Sequence, residues 1–145
     1  MKSLLDRFEN KPRIAIAANT ALLETGKTSG KLYILIDGQV EISRGGTVVA
    51  SIAEPGAVFG EMSILLGTPH TADVRTLTDV TVYEFLDAQT FLRSDPEITF
   101  LVAQLLAQRL NTVTTYLVDI KRQYAGSGNH LGMVSDVLAS LVFQP

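Results

Sequence analysis

The residues with chemistry to offer are concentrated between Pro55 and Val74, which read PGAVFGEMSILLGTPHTADV. Phe59-Gly60-Glu61 has the form of a strand end passing into a short helical turn over Glu61–Leu66. Glycine at 60 lets the backbone approach a ligand closely, and the first amides of a helical turn suit an anion. Glu61 is an acceptor for a sugar hydroxyl. Gly67-Thr68-Pro69 turns the chain back, so that the imidazole of His70 and the hydroxyl of Thr71 can aim at one spot. The chemistry on offer is a phosphate cradle with a ribose acceptor beside it.

Composition removes competing chemistries. The chain has 145 residues, a formal net charge of −3, no Cys and only two His, His70 and His130. Absence of Cys excludes disulfide scaffolds, thiolate metal sites and cysteine nucleophiles. A metal-dependent β-roll enzyme needs about two or three imidazoles with a carboxylate, so neither a metal nor catalysis is expected. Slight acidity argues against a nucleic-acid surface, which shows as a basic stripe. Asp6 and Glu9 fall where a secretory apolar segment would be, and no apolar run approaches the roughly 18–20 residues of a membrane span. A cytoplasmic protein without membrane contact is the expectation.

The elements that must position these residues follow from punctuation and periodicity. Lys31–Ile36, Val40–Ile42, Val48–Ile52 and Val58-Phe59 read as short strands, and Asp73–Phe85 as a further β run. Asp37-Gly38 between two apolar runs predicts a hairpin, and Arg44-Gly45-Gly46-Thr47 and Pro55-Gly56 mark further turns. Short, regularly spaced strands predict a small antiparallel barrel or roll. Asp87 caps a short helix running to Phe91, and Ser94-Asp95-Pro96-Glu97 opens a long one that continues to about Tyr124. Within it Ala103, Leu106, Leu110, Val113, Leu117, Ile120 and Tyr124 alternate spacings of three and four. This heptad seam predicts a homodimer helix, the other use of such a stripe being to pack on the roll. After Gly126-Ser127-Gly128-Asn129, Met133, Val134, Val137, Leu138, Leu141 and Val142 share one face of a short amphipathic tail helix. Two regions are therefore expected: residues 1–124, a roll with its dimerisation helix over about 95–124, and residues 125–145, a Gly-rich break and tail.

On these residues the chain resembles the cyclic-nucleotide-binding domains of the catabolite-activator and protein-kinase-A-regulatory superfamily. It carries Phe59-Gly60-Glu61-Met62-Ser63, then Leu65 and Leu66, then Pro69, Thr71, Ala72 and Val74, in the order of that family's phosphate-binding cassette. Upstream, Gly30 to Val40 is similar to the family's Leu-Tyr strand motif with its Gly and Val. The resemblance extends over roughly residues 12–124. It implies a double-stranded β-helix, or jelly roll, followed by a long C-terminal helix. It also implies cAMP or cGMP as ligand, with Glu61 on the ribose 2′-hydroxyl. The cassette from Phe59 to Ser63 with His70, Thr71 and Ala72 would hold the cyclic phosphate. Base contacts in the family often come from the long helix, where Thr112, Thr114 and Thr115 stand; as plain residues these read as a polar face.

One departure matters. The family's phosphate-binding Arg is replaced by His70. Arg offers a planar fork to phosphate, whereas an imidazole offers one donor per oxygen and is largely neutral at cytoplasmic pH unless an anion raises its pKa. The lost charge-assisted bond is worth on the order of 1.5–3 kcal/mol. The nearest cation in sequence is Arg75, in the strand that follows, where it is expected to face solvent. Three functional readings stand: a non-catalytic sensor signalling through its helical C-terminus to an unnamed protein, a degenerate roll serving only as a dimeric interaction module, and the sensor fragment of a transcription regulator. Regulators of the family carry a helix-turn-helix after the long helix. The stretch after Tyr124 holds no Lys or Arg and one helix at most, so DNA binding is not expected of this chain alone.

Overall fold

The computed structural model describes residues 4–123 and 129–143. The chain divides into two compact units, Met1–Thr99 and Phe100–Pro145. The first opens with a 3-10 turn, Leu4–Phe8, and continues through eight strands: β1 Ile14–Ile16, β2 Ala21–Leu23, β3 Leu32–Asp37, β4 Val40–Arg44, β5 Thr47–Ile52, β6 Val58–Phe59, β7 Asp73–Thr76 and β8 Val80–Phe85. Helix α1, Glu61–Leu66, lies between β6 and β7, and α2, Ala88–Ser94, follows β8. Helix α3, Pro96–Gln123, begins in the first unit and supplies the second, together with α4, Asn129–Phe143.

The strands form two four-stranded antiparallel sheets, in the orders β1-β8-β3-β6 and β2-β7-β4-β5. Apart from β4 and β5, each strand is followed by one in the other sheet, which is jelly-roll winding. The inner faces meet in a cluster of Leu22, Leu23, Tyr33, Leu35, Val40, Phe59, Val74, Val80 and Val82. Strand β3 is buried on both faces from Leu32 to Leu35. On its outer side an aromatic group covers the sheet: the Phe8 ring meets Phe85 edge-on at 5.2 Å and Tyr83 at 5.7 Å, and Phe91 lies 4.3 Å from Phe85. Arg7 ties the N-terminal turn to the start of α3 through Glu97 at 2.7 Å.

Asp37-Gly38 is a turn, but not the expected hairpin. It carries the chain from β3 in one sheet to β4 in the other. Gly38 has φ 101°, and a Cβ there would lie 2.6 Å from the Asp79 carbonyl oxygen. The corner thus packs on a second corner, Leu77–Asp79, which splits the expected Asp73–Phe85 run into β7 and β8. The two are joined by Leu77 N–H donating to the Gln39 carbonyl at 2.8 Å and Gln39 N–H to the Thr78 hydroxyl at 3.0 Å. The sharp reversal that Asp-Gly provides is spent on changing sheet. The hairpin that does form within a sheet is β4–β5, closed by Gly45-Gly46 with Arg44 opposite Thr47.

Helix starts follow their caps. The Asp87 carboxylate accepts from the Thr90 amide and, at 2.8 Å, from its hydroxyl, and the Asp95 carboxylate accepts from the Ile98 amide at 3.2 Å. In the second unit, Leu110, Val113 and Tyr116 are exposed, while Leu106, Leu117 and Ile120 are partly buried. Tyr124 and the Gly126–Gly128 break lie outside the described residues. No helix among the described residues is long and apolar enough to cross a membrane.

Candidate functional site

The cassette begins on β6, an edge strand of the sheet that contains β3. Phe59, buried inside it, pairs with Tyr33 across β3 and β6. At Gly60 the backbone turns left-handed, φ 99°, and α1 begins. A Cβ at Gly60 would stand 2.5 Å from the Lys31 carbonyl oxygen and 3.5 Å from Leu32 Cα. The close approach that this glycine permits is therefore first of all to its own chain, at the entry to β3.

Helix α1 spans Glu61–Leu66, the range anticipated from sequence. Its first amides have no acceptor within the helix. Glu61 is buried at its first position, 5% exposed, whereas Met62 faces outward. Ser63 is buried and its hydroxyl donates to the Thr68 carbonyl at 2.5 Å, while the Gly67 amide donates to the Ser63 carbonyl at 3.0 Å. Ser63 thus shapes the cassette by closing its turn.

His70 is buried, 4% exposed. Its Nε2 lies 2.7 Å from the Ser29 hydroxyl and 3.4 Å from the Ser29 amide nitrogen. A backbone amide can only donate, so Nε2 is an acceptor and the ring proton is assigned to Nδ1. The Ser29 oxygen in turn accepts from the Lys31 amide at 3.2 Å. Main-chain bonds fix the same contact: His70 N–H donates to the Lys27 carbonyl and Gly26 N–H to the His70 carbonyl, each at 2.9 Å. Burial lowers the His70 pKa below its ordinary 6.5, in keeping with a neutral ring.

Thr71 is exposed and Ala72 partly buried. Asp73 accepts from the Thr25 amide at 2.7 Å, and its bonds to Thr25 hold its carboxyl below the ordinary 3.8. Arg75 is exposed and donates from Nη1 to the Asn19 carbonyl at 2.9 Å. Thr112, Thr114 and Thr115 belong to the second unit, not to the roll that carries the cassette. The hydroxyls of Thr112 and Thr114 donate to the carbonyls of Gln108 and Leu110, at 3.0 and 2.8 Å.

Both halves of the cassette meet one short segment, Ser29-Gly30-Lys31: Gly60 abuts the Lys31 carbonyl and His70 holds Ser29. Ser29 escaped the sequence reading, since nothing local distinguishes it from any loop serine. A second polar feature, Tyr33 with Glu84, was also missed. These two residues are cross-strand partners, and burial with a hydrogen bond to Glu84 pushes the Tyr33 hydroxyl well above its usual pKa. Strand alternation is the signal that would have paired them. A cavity of about 270 Å³ lies beside α1 and α2, bordered by Leu65, Leu66, Leu92 and Arg93. Among the described residues no group of three or more His, Asp or Glu is placed to hold a metal ion.

Two facing antiparallel sheets closed by a Gly-Glu cassette, with a long helix following, define the class of cyclic-nucleotide-binding rolls. Residues 13–93 match the sequence model of the cyclic nucleotide-binding domain, and the chain belongs to that family. It is 33% identical over 101 residues to the CRP-like cAMP-activated global transcriptional regulator of Mycobacterium tuberculosis, a match covering 66% of this chain and 45% of the regulator. The chain thus spans less than half the length of that relative. The catabolite activator protein of Thermus thermophilus shares the fold, with a TM-score of 0.62 and 18% identity over 90% of this chain and 76% of that one. The regulatory subunit of a cAMP-independent protein kinase A from Trypanosoma brucei is similar at a TM-score of 0.50 and 28% identity, over 54% of this chain and 28% of the other.

Proposed function

We propose that the chain is a non-catalytic regulatory module that takes a cyclic nucleotide, cAMP or cGMP, in the cassette and passes the bound state on through its helical C-terminus. The observation that carries this reading is the burial of Glu61 at the first position of α1, immediately after a glycine that has no room for a side chain. A carboxylate buried at the start of α1 is suited to accept the ribose 2′-hydroxyl, and the amides of the first turn are suited to the cyclic phosphate. Phe59 backs the site, and Met62, Ser63, His70, Thr71 and Ala72 complete the cassette. The regulatory relatives support a module without catalysis. The heptad on α3 supports a homodimer, and the acidic, cysteine-free composition supports a cytoplasmic place.

One relative is cAMP-activated and another cAMP-independent, so family membership does not choose the ligand. A second reading, a roll that serves only as an interaction module, is favoured by the internal engagement of His70 with Ser29. A third, the sensor part of a transcription regulator, is favoured by the match to less than half of the mycobacterial regulator. Calorimetric titration with cAMP and cGMP separates the first reading from the second: saturable heat supports the sensor, and no heat or thermal stabilisation at millimolar nucleotide supports the interaction module.

A further inference from the structure

The cassette is poor in positive charge along the chain. No Lys or Arg occurs between Arg44 and Arg75, a stretch that includes all of Phe59–Val74. His70, the residue in the family's arginine position, is buried and accepts from Ser29 through Nε2. A neutral ring so engaged does not offer a phosphate the charge of a guanidinium. Of the other cations of the roll, four have partners elsewhere, and Arg93 borders the cavity beside α1 and α2. Arg75 bonds the Asn19 carbonyl, Arg7 bonds Glu97, Lys27 bonds Glu24 at 2.5 Å, and Lys11 lies 4.5 Å over the Phe85 ring.

Lys31 stands elsewhere. The β3–β6 pairing, Ile34 opposite Val58 and Tyr33 opposite Phe59, leads on toward Leu32 beside Gly60. The packing agrees, because the Cβ position of Gly60 lies 3.5 Å from Leu32 Cα and 2.5 Å from the Lys31 carbonyl oxygen. Lys31 is therefore fixed by its backbone next to the first turn of α1. It is partly buried, and it alternates in phase with Tyr33 and Leu35, both of the interior cluster. Its amide is held by the Ser29 hydroxyl that also contacts His70, so the backbone that carries it is anchored from both halves of the cassette.

We infer that Lys31 supplies the positive charge for the ligand's phosphate, taking over from the entry to β3 the part that His70 does not play. The inference rests on the reading of the cassette as the ligand site. An ammonium on a flexible stem is a point charge with three donors; it can follow a phosphate oxygen without the fixed fork that Arg requires.

The test is calorimetric titration of wild type, Lys31→Gln and Lys31→Arg with cAMP and cGMP, and with uncharged adenosine and guanosine. Lys31→Gln is expected to weaken the cyclic nucleotides about tenfold or more, the scale of one charge-assisted bond. It should leave the nucleosides unchanged, and Lys31→Arg should recover most of the loss. Lys11→Gln, on the outer aromatic group, should change neither. Equal affinity of wild type and Lys31→Gln for the cyclic nucleotides overturns the inference and leaves the site reading standing. An equal loss for nucleosides and cyclic nucleotides assigns Lys31 a structural role and also overturns it. Failure of wild type to bind any of the four ligands overturns the site reading itself. Should Lys31→Gln not fold, salt decides on wild type: cyclic-nucleotide affinity falls with ionic strength while nucleoside affinity holds, and identical salt responses overturn the inference.

Discussion

The Ser29 hydroxyl lies 2.7 Å from His70 Nε2, joining the loop before β3 to the cassette across 41 positions of sequence. The Ser29 amide, which can only donate, also points at Nε2 and makes it an acceptor, and burial keeps the ring's pKa below 6.5. A folded-state value below the unfolded one means that folding favours the neutral ring. The resulting stability is fully present above about pH 6.5 and is lost as pH falls through the folded value.

Thermal denaturation between pH 8 and pH 5 checks this. Wild type should lose more Tm over that range than His70→Gln, which lacks the titrating ring. Ser29→Ala should cost about 1 kcal/mol at neutral pH, the typical worth of a hydrogen bond, in urea denaturation. Parallel pH profiles for wild type and His70→Gln would contradict the buried neutral ring. Asp73, held below 3.8, loses its contribution only at more acid pH and does not confuse the comparison.

Gly60 and Gly46 both have positive φ, 99° and 80°, but differ in surroundings. A Cβ at Gly46 meets nothing within 4 Å, whereas one at Gly60 meets the Lys31 carbonyl at 2.5 Å. Gly46→Ala should therefore cost backbone strain alone, about 1 kcal/mol, and Gly60→Ala that strain plus displacement of β3 or α1, about 3 kcal/mol or more in total. Chemical denaturation reads both. Equal costs would mean that the Gly60 contact relaxes freely.

The α3 seam carries the dimer proposal. Leu110 is 45% and Val113 50% exposed, on the heptad that also contains Leu106, Leu117 and Ile120. A double change, Leu110→Glu with Val113→Glu, should convert a dimer to monomer in sedimentation velocity at micromolar concentration without loss of β-sheet circular dichroism. A wild type that is monomeric under those conditions would contradict the proposal.

What could be read from sequence was local. Helix α1 was bounded correctly because Gly60, Glu61 and the Gly67-Thr68-Pro69 turn are all written within one short stretch. The starts of α2 and α3 were legible for the same reason, through Asp87 and Pro96. Asp37-Gly38 was legible as a turn and not as a change of sheet, since one residue pair serves hairpin and corner alike. Its partner corner, Leu77–Asp79, is distant in sequence. The three-residue strands Ile14–Ile16 and Ala21–Leu23 are too short for any period to register. The site divided in the same way. Glu61 and His70 stood out by type and spacing, but what His70 does depends on Ser29, and what Lys31 faces depends on the pairing of β3 with β6.

The central claim is that a ligand enters the roll at Glu61. The most direct measurement is calorimetric titration of wild type and Glu61→Ala with cAMP and cGMP, at nucleotide up to millimolar concentration. Wild type should show saturable binding of at least one nucleotide, and Glu61→Ala should weaken it about tenfold to a hundredfold, the worth of hydrogen bonds to a charged acceptor. Equal affinity of both proteins, or no binding by folded wild type, would contradict the claim.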